Sequence, residues 1–155
     1  YPENLSVGRP KNDPRAPQVA YCTGLACEAL GDAAKARELS TQAAEQPETE
    51  RWPETRFYQA LSLVKLGQRE AADKVFDQLV EDGKKRTREQ GSADFFAKFG
   101  QEQTRRSQLA TAHYLIGLGL LGRENAQEAR KEFAQAVELN AAHLWARYQR
   151  EAIGQ

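Results

Sequence analysis

Along most of this chain, small and apolar residues return at three- and four-residue spacing, and each such run is cut near its middle by a turn residue. That spacing marks one face of a helix, so each run predicts two helices joined by a turn. The stretch 21–47, YCTGLACEALGDAAKARELSTQAAEQP, overlays 57–83, FYQALSLVKLGQREAADKVFDQLVEDG, at a constant offset of 36: Gly24 falls on Ala60, Gly31 on Gly67, Ala36 on Ala72 and Ala43 on Leu79. A third copy at 114–140, YLIGLGLLGRENAQEARKEFAQAVELN, aligns through Gly117, Ala129, Phe133 and Ala136, 57 residues beyond the second. The pattern predicts helical hairpins over about 18–47, 54–83 and 110–140. One more amphipathic helix follows over about 141–153, expected to turn Leu144, Tyr148 and Ala152 inward and a polar side outward, as the end of an open stack requires.

The punctuation is specific. Gly31 suits the left-handed conformation that closes a helix, and Asp32 can cap the next one. Asn125 followed by Glu128 has the spacing of a capping box. The small residues Gly24, Ala60 and Gly117, and their partners Ala36, Ala72 and Ala129, stand where the two helices of a hairpin would cross closely. This constellation resembles the tetratricopeptide repeat, whose unit is about 34 residues of helix–turn–helix. The resemblance covers residues 18–140 and implies an all-α superhelix of three helical hairpins plus a C-terminal capping helix. Three positions depart from it: Ser40 replaces the aromatic of copy one, Leu79 replaces an Ala, and Glu124 stands where the turn Gly belongs.

The 57-residue offset exceeds one repeat by the length of an insertion, about 84–106. Its flanks, KKRTREQ and QEQTRR, are highly polar, and its centre, GSADFFAKFG, holds Phe95, Phe96 and Phe99. We expect a long loop with a short helical turn at 95–99, and at least one of these rings packed on the repeats as a plug or rim, with Leu5 and Val7 as competing occupants. Residues 1–17, which hold four of the six prolines, read as an extended lead-in from a preceding domain. The rest, 18–155, is one domain. YPENLSVGRP, ADFFA and HYLIGLGLLG further resemble the C-terminal tetratricopeptide region of large bacterial proteins with an upstream carbohydrate-active, galactose-mutarotase-like domain.

Charge adds little direction: 22 basic and 22 acidic residues cancel, which gives no general pull toward nucleic acid or an anionic membrane. The densest basic run, Lys84, Lys85, Arg86 and Arg88, sits among Glu81, Asp82 and Glu89 and reads as a solvated helix end. No apolar run reaches the roughly 18 residues of a membrane span. Cys22 and Cys27 fall on different faces of one helix, so no disulfide is expected between them and a reducing cytoplasm fits. Cys27 takes a position where repeats bury a medium side chain, and it reads as core.

GLGLLG at 117–122 spells the dinucleotide fingerprint, yet no strand precedes it, so close helix packing is the better reading. His113, at a helix start, and His143 have no Cys or carboxylate at ligand spacing, so no metal site, cofactor or catalytic constellation is expected. In the tetratricopeptide family the first helix of each repeat lines the concave face. The matching positions here are Tyr21 and Leu25, Phe57 and Leu61, Tyr114 and Leu118, an apolar ladder in place of a carboxylate clamp. It is open between a binding groove and a buried seam. The chain is expected to be a non-catalytic docking module for its own upstream domain or another protein, and an exposed apolar surface would also let copies associate. The alternative is the accessory C-terminal part of a bacterial carbohydrate-active enzyme whose catalytic residues lie upstream.

Overall fold

The computed structural model describes residues 13–47, 52–91 and 99–153. They form seven α-helices: α1 (Ala16–Ala29), α2 (Ala33–Ala44), α3 (Thr55–Lys65), α4 (Arg69–Gly91), α5 (Phe99–Gly122), α6 (Ala126–Leu139) and α7 (Leu144–Ala152). The fold is all-α and tetratricopeptide-like, with α1/α2, α3/α4 and α5/α6 each joined by a tight turn. No helix among the described residues is long and apolar enough to cross a membrane.

The three turns share one hydrogen-bond pattern. Gly31 N–H donates to Glu28 O and Asp32 N–H to Cys27 O; Gly67 and Gln68 repeat this onto Val64 and Leu63, and Glu124 and Asn125 onto Leu121 and Leu120. This paired closure satisfies the last carbonyls of the first helix and needs a left-handed residue at its centre. Gly31, Gly67 and Glu124 have φ of 83°, 79° and 63°. Glu124 therefore replaces the turn glycine in sequence while keeping its conformation, at the steric cost a Cβ carries there. The next residue then caps the following helix: Asp32 Oδ1 accepts from Lys35 N at 2.9 Å and Asn125 Oδ1 from Glu128 N at 3.4 Å.

The insertion differs from the loop expected of it. Residues 84–91 continue α4 and residues 99–106 open α5, so both polar flanks are helical. Lys, Arg, Glu and Gln are good helix formers, and no proline interrupts either flank. The basic run lies on the last turns of α4, where Lys84 pairs with Glu81 at 3.1 Å and Arg88 occupies the final turn.

The chain divides into two compact units, residues 1–72 and 73–155. In the first, α1 packs on α2 and both meet α3. Gly24 is buried at the α1–α2 crossing, and Ala43, Phe57 and Ala60 are core. Gln59 Nε2 donates to Gln46 O at 2.7 Å, tying α3 to the end of α2, and Gln18 Nε2 donates to Tyr58 OH at 3.1 Å, tying α1 to α3.

In the second unit the glycines of GLGLLG are all consumed by packing inside α5. Gly117 lies under the ring of Phe133 in α6, while Gly119 and Gly122 receive Phe76 and Val80 of α4. Gly83 of α4 returns the arrangement, with Ile116 Cγ1 only 2.5 Å from where its Cβ would stand. Arg123 grips Asp73 and Asp77 at 2.5 and 3.3 Å.

Helix α7 packs on α6, but with a different face from the one expected. Its buried residue is Ala146, whereas Leu144, Tyr148 and Ala152 are exposed. Amphipathic spacing identifies an apolar face; it does not say that anything covers it.

Candidate functional site

The six ladder residues differ in exposure. Phe57, Tyr114 and Leu118 are buried, at 4%, 4% and 0% exposure, and belong to the cores of their units. Leu61 is half-buried. Tyr21 is half-buried and Leu25 is 38% exposed, and these two line a cleft. The same letters diverge because their neighbours do: Tyr114 has the ring of Phe133 at 5.8 Å, whereas the matching α2 position beside Tyr21 is Ser40.

The cleft lies in the first unit between α1 and α2, with α3 contributing its rim. It has a volume of about 260 Å³, with Tyr21, Gly24 and Leu25 from α1, Ala36 and Ser40 from α2, and Arg37 and Lys65 at the edge. Ser40 Oγ donates to Ala36 O at 2.9 Å, so the hydroxyl folds back onto its own helix and leaves the space open. Tyr21 leans on Tyr58, with ring centroids 6.0 Å apart. Burial raises the Tyr21 phenol above its ordinary value, with the Lys65 ammonium pulling the other way. Lys65 Nζ contacts Glu28 Oε2 at 2.6 Å, and this bond raises the lysine pKa. The tyrosine is therefore a neutral hydrogen-bonding group at physiological pH, and the rim carries two cations against one carboxylate.

A second concavity, about 410 Å³, lies between α5 and α6 in the other unit, lined by Glu102, Arg105, Arg106, Leu109, Gln135 and Glu138, among others. Arg106 Nη2 donates to Glu138 O at 3.4 Å, and Arg105 Nε is buried without a hydrogen-bond partner among the described residues. These arginines and Lys65 carried no signal in the sequence, because single cations on polar helix faces are ordinary there.

The remaining candidates resolve singly. His113 lies well inside α5, not at a helix start, and its Nδ1 is 2.7 Å from Glu132 Oε2. His143 caps α7, its Nδ1 accepting from Ala146 N at 3.2 Å with its ring 4.7 Å from that of Tyr114. Burial lowers its pKa below the usual value. Cys22 is exposed and Cys27 only half-buried, and both are free thiols. Among the described residues no three His, Cys, Asp or Glu side chains gather as metal ligands. The crossing residues Ala60, Ala72 and Ala129 are fully buried and Ala36 partly so. Phe99 is the first residue of α5; Phe95 and Phe96 lie outside the described residues, as do Leu5 and Val7, so the expected plug lies outside the described residues as well.

No protein-family model matches this chain, and no curated protein matches it. Among solved structures, it is similar to the first TPR of Spaghetti (RPAP3) bound to HSP90 peptide SRMEEVD, at 15% identity and TM-score 0.34, over 95% of this chain and 97% of the other. It is also similar to MamA 41-end from Desulfovibrio magneticus RS-1, at 16% identity and TM-score 0.29, over 89% and 83%.

Proposed function

We propose that this chain is a non-catalytic docking module that receives a peptide segment, from another protein or from a preceding part of its own chain, at the α1–α2 cleft. The observation that carries this is the cleft itself: an apolar floor at Gly24, Leu25 and Ala36 beside a rim of Arg37 and Lys65. Apolar lining with a few placed polar groups is the usual make-up of a binding concavity. Leu25 is reachable from solvent while its counterpart Leu118 is not.

Peptide display against the full chain tests this. Selected peptides should bind the unaltered protein and lose at least about tenfold in affinity to Leu25→Asp, since roughly 1.4 kcal/mol is a factor of ten. Leu30→Asp, at a turn residue 86% exposed, should leave binding unchanged. Equal binding to both variants would put the docking surface elsewhere. The enzyme-appendage alternative has no comparable support: YPENLSVGRP and ADFFA lie outside the described residues, and the glycines of HYLIGLGLLG are accounted for by packing.

A further inference from the structure

The cleft has an internal counterpart in the second unit. Tyr21 corresponds to Tyr114, Gly24 to Gly117, Leu25 to Leu118, Ala36 to Ala129 and Ser40 to Phe133. In the second unit Phe133 is fully buried, and its Cζ is 3.0 Å from where a Cβ on Gly117 would stand. Leu118 and Ala129 are fully buried as well. In the first unit the nearest atom of residue 40 to the corresponding point on Gly24 is the Ser40 hydroxyl, at 3.8 Å. The first unit thus keeps the glycine, the tyrosine, the leucine and the alanine of a phenyl pocket and lacks the phenyl.

Resting on the docking function above, we propose that this cleft is the receptor for one aromatic side chain, Phe or Tyr, carried by a partner peptide beside an acidic residue. Size allows it: an apolar cavity of about 150 Å³ takes up benzene, and this cleft measures about 260 Å³. Chemistry favours a ring, because ring-on-ring contact with Tyr21 adds to simple burial. The acidic neighbour follows from the rim. Lys65 is engaged by Glu28, whereas Arg37 has no ion-pair partner among the described residues and offers a planar, bidentate donor for a carboxylate.

Two measurements test this apart from the broader docking function. In the first, methyl-labelled chain is titrated with N-acetyl-L-phenylalaninamide and with N-acetyl-L-leucinamide. The phenyl probe should move the Leu25 and Ala36 methyl signals saturably, and the leucine probe should bind about tenfold more weakly. Equal responses, or none, overturn the aromatic receptor. In the second, Ser40→Phe supplies the missing ring from within. It should raise Tm by about 3 °C or more, because the added ring is buried against apolar neighbours that already stand in place. It should also weaken the selected peptides at least about tenfold. A folded Ser40→Phe chain that binds those peptides as the unaltered chain does overturns the aromatic receptor, even where Leu25→Asp still abolishes binding and the docking surface stands. If Ser40→Phe does not fold, the probe titration on the unaltered chain decides. Arg37→Ser should weaken acidic-flanked peptides and spare those without the acid; equal effects overturn the acidic neighbour.

Discussion

The ring of Phe133 stands where a side chain on Gly117 would have to go: a Cβ there would lie 3.0 Å from Cζ and nearer still to Cδ1 and Cε1. Gly117→Ala is therefore expected to destabilise the second unit by about 1–3 kcal/mol through overpacking. At the corresponding Gly24 the nearest atoms are 3.4 and 3.5 Å away, ordinary contact distances. Gly24→Ala should be neutral or gain up to about 1 kcal/mol from helix propensity. Urea midpoints of the two variants check this, and equal losses would count against the difference between the two crossings.

The turns give a second test. A left-handed conformation costs a non-glycine residue about 1–2 kcal/mol, and Glu124 adopts it. Glu124→Gly should raise stability by roughly 0.5–1 kcal/mol, after deducting the freedom glycine adds to the unfolded chain. Gly67→Ala should lose about 1 kcal/mol. Nothing lies within 4 Å of a Cβ at Gly67, so backbone strain alone would be responsible. Calorimetry showing no change in either variant would contradict the turn assignment.

These turns were legible because local letters determine them: Gly31 with Asp32, and Asn125 with Glu128, act within a few residues of each other. The insertion was misread because its flanks lack an apolar stripe, and periodicity is blind to helices held by propensity and charge pairs such as Lys84 with Glu81. The ladder was open between groove and seam for a different reason. Tyr21 and Tyr114 carry the same letter, and only the residue packed against each, Ser40 or Phe133, decides whether it lines a cleft or a core. Ser40 was visible as a departure from the repeat, but the space it opens is a property of three helices together.

His143 predicts a pH dependence. Its folded pKa is depressed by burial below the unfolded 6.5, so the unfolded chain takes up a proton first as pH falls. The stability linked to this group is fully present above the unfolded pKa and is lost as pH falls through the folded pKa. Protonation also removes the Nδ1 lone pair that accepts from Ala146 N. Denaturation at pH 8 and pH 5 should show a larger loss for the unaltered chain than for His143→Asn, which keeps a cap acceptor without a titrating ring. Identical losses would remove His143 as the source.

Helix α7 presents Leu144, Trp145 and Tyr148 at 71%, 49% and 62% exposure. Because most of the Leu144 side chain is exposed, Leu144→Gln should shift stability by no more than about 0.5 kcal/mol. The same change should reduce binding of an apolar dye and any concentration-dependent rise in sedimentation coefficient. A large loss of stability would mean that this face is covered within the chain.

The three-residue turns at 30–32 and 123–125 also bear on how fast the protein reaches its native state. Each brings α1 to α2, or α5 to α6, across a short stretch of chain, so the loop-closure entropy that precedes the first rewarding contacts is small. Chains dominated by such near-neighbour contacts refold in microseconds to milliseconds, well ahead of sheet proteins that must first join distant strands. A newly made copy of this chain would therefore spend little time before the Phe133 ring of α6 closes over Gly117 of α5.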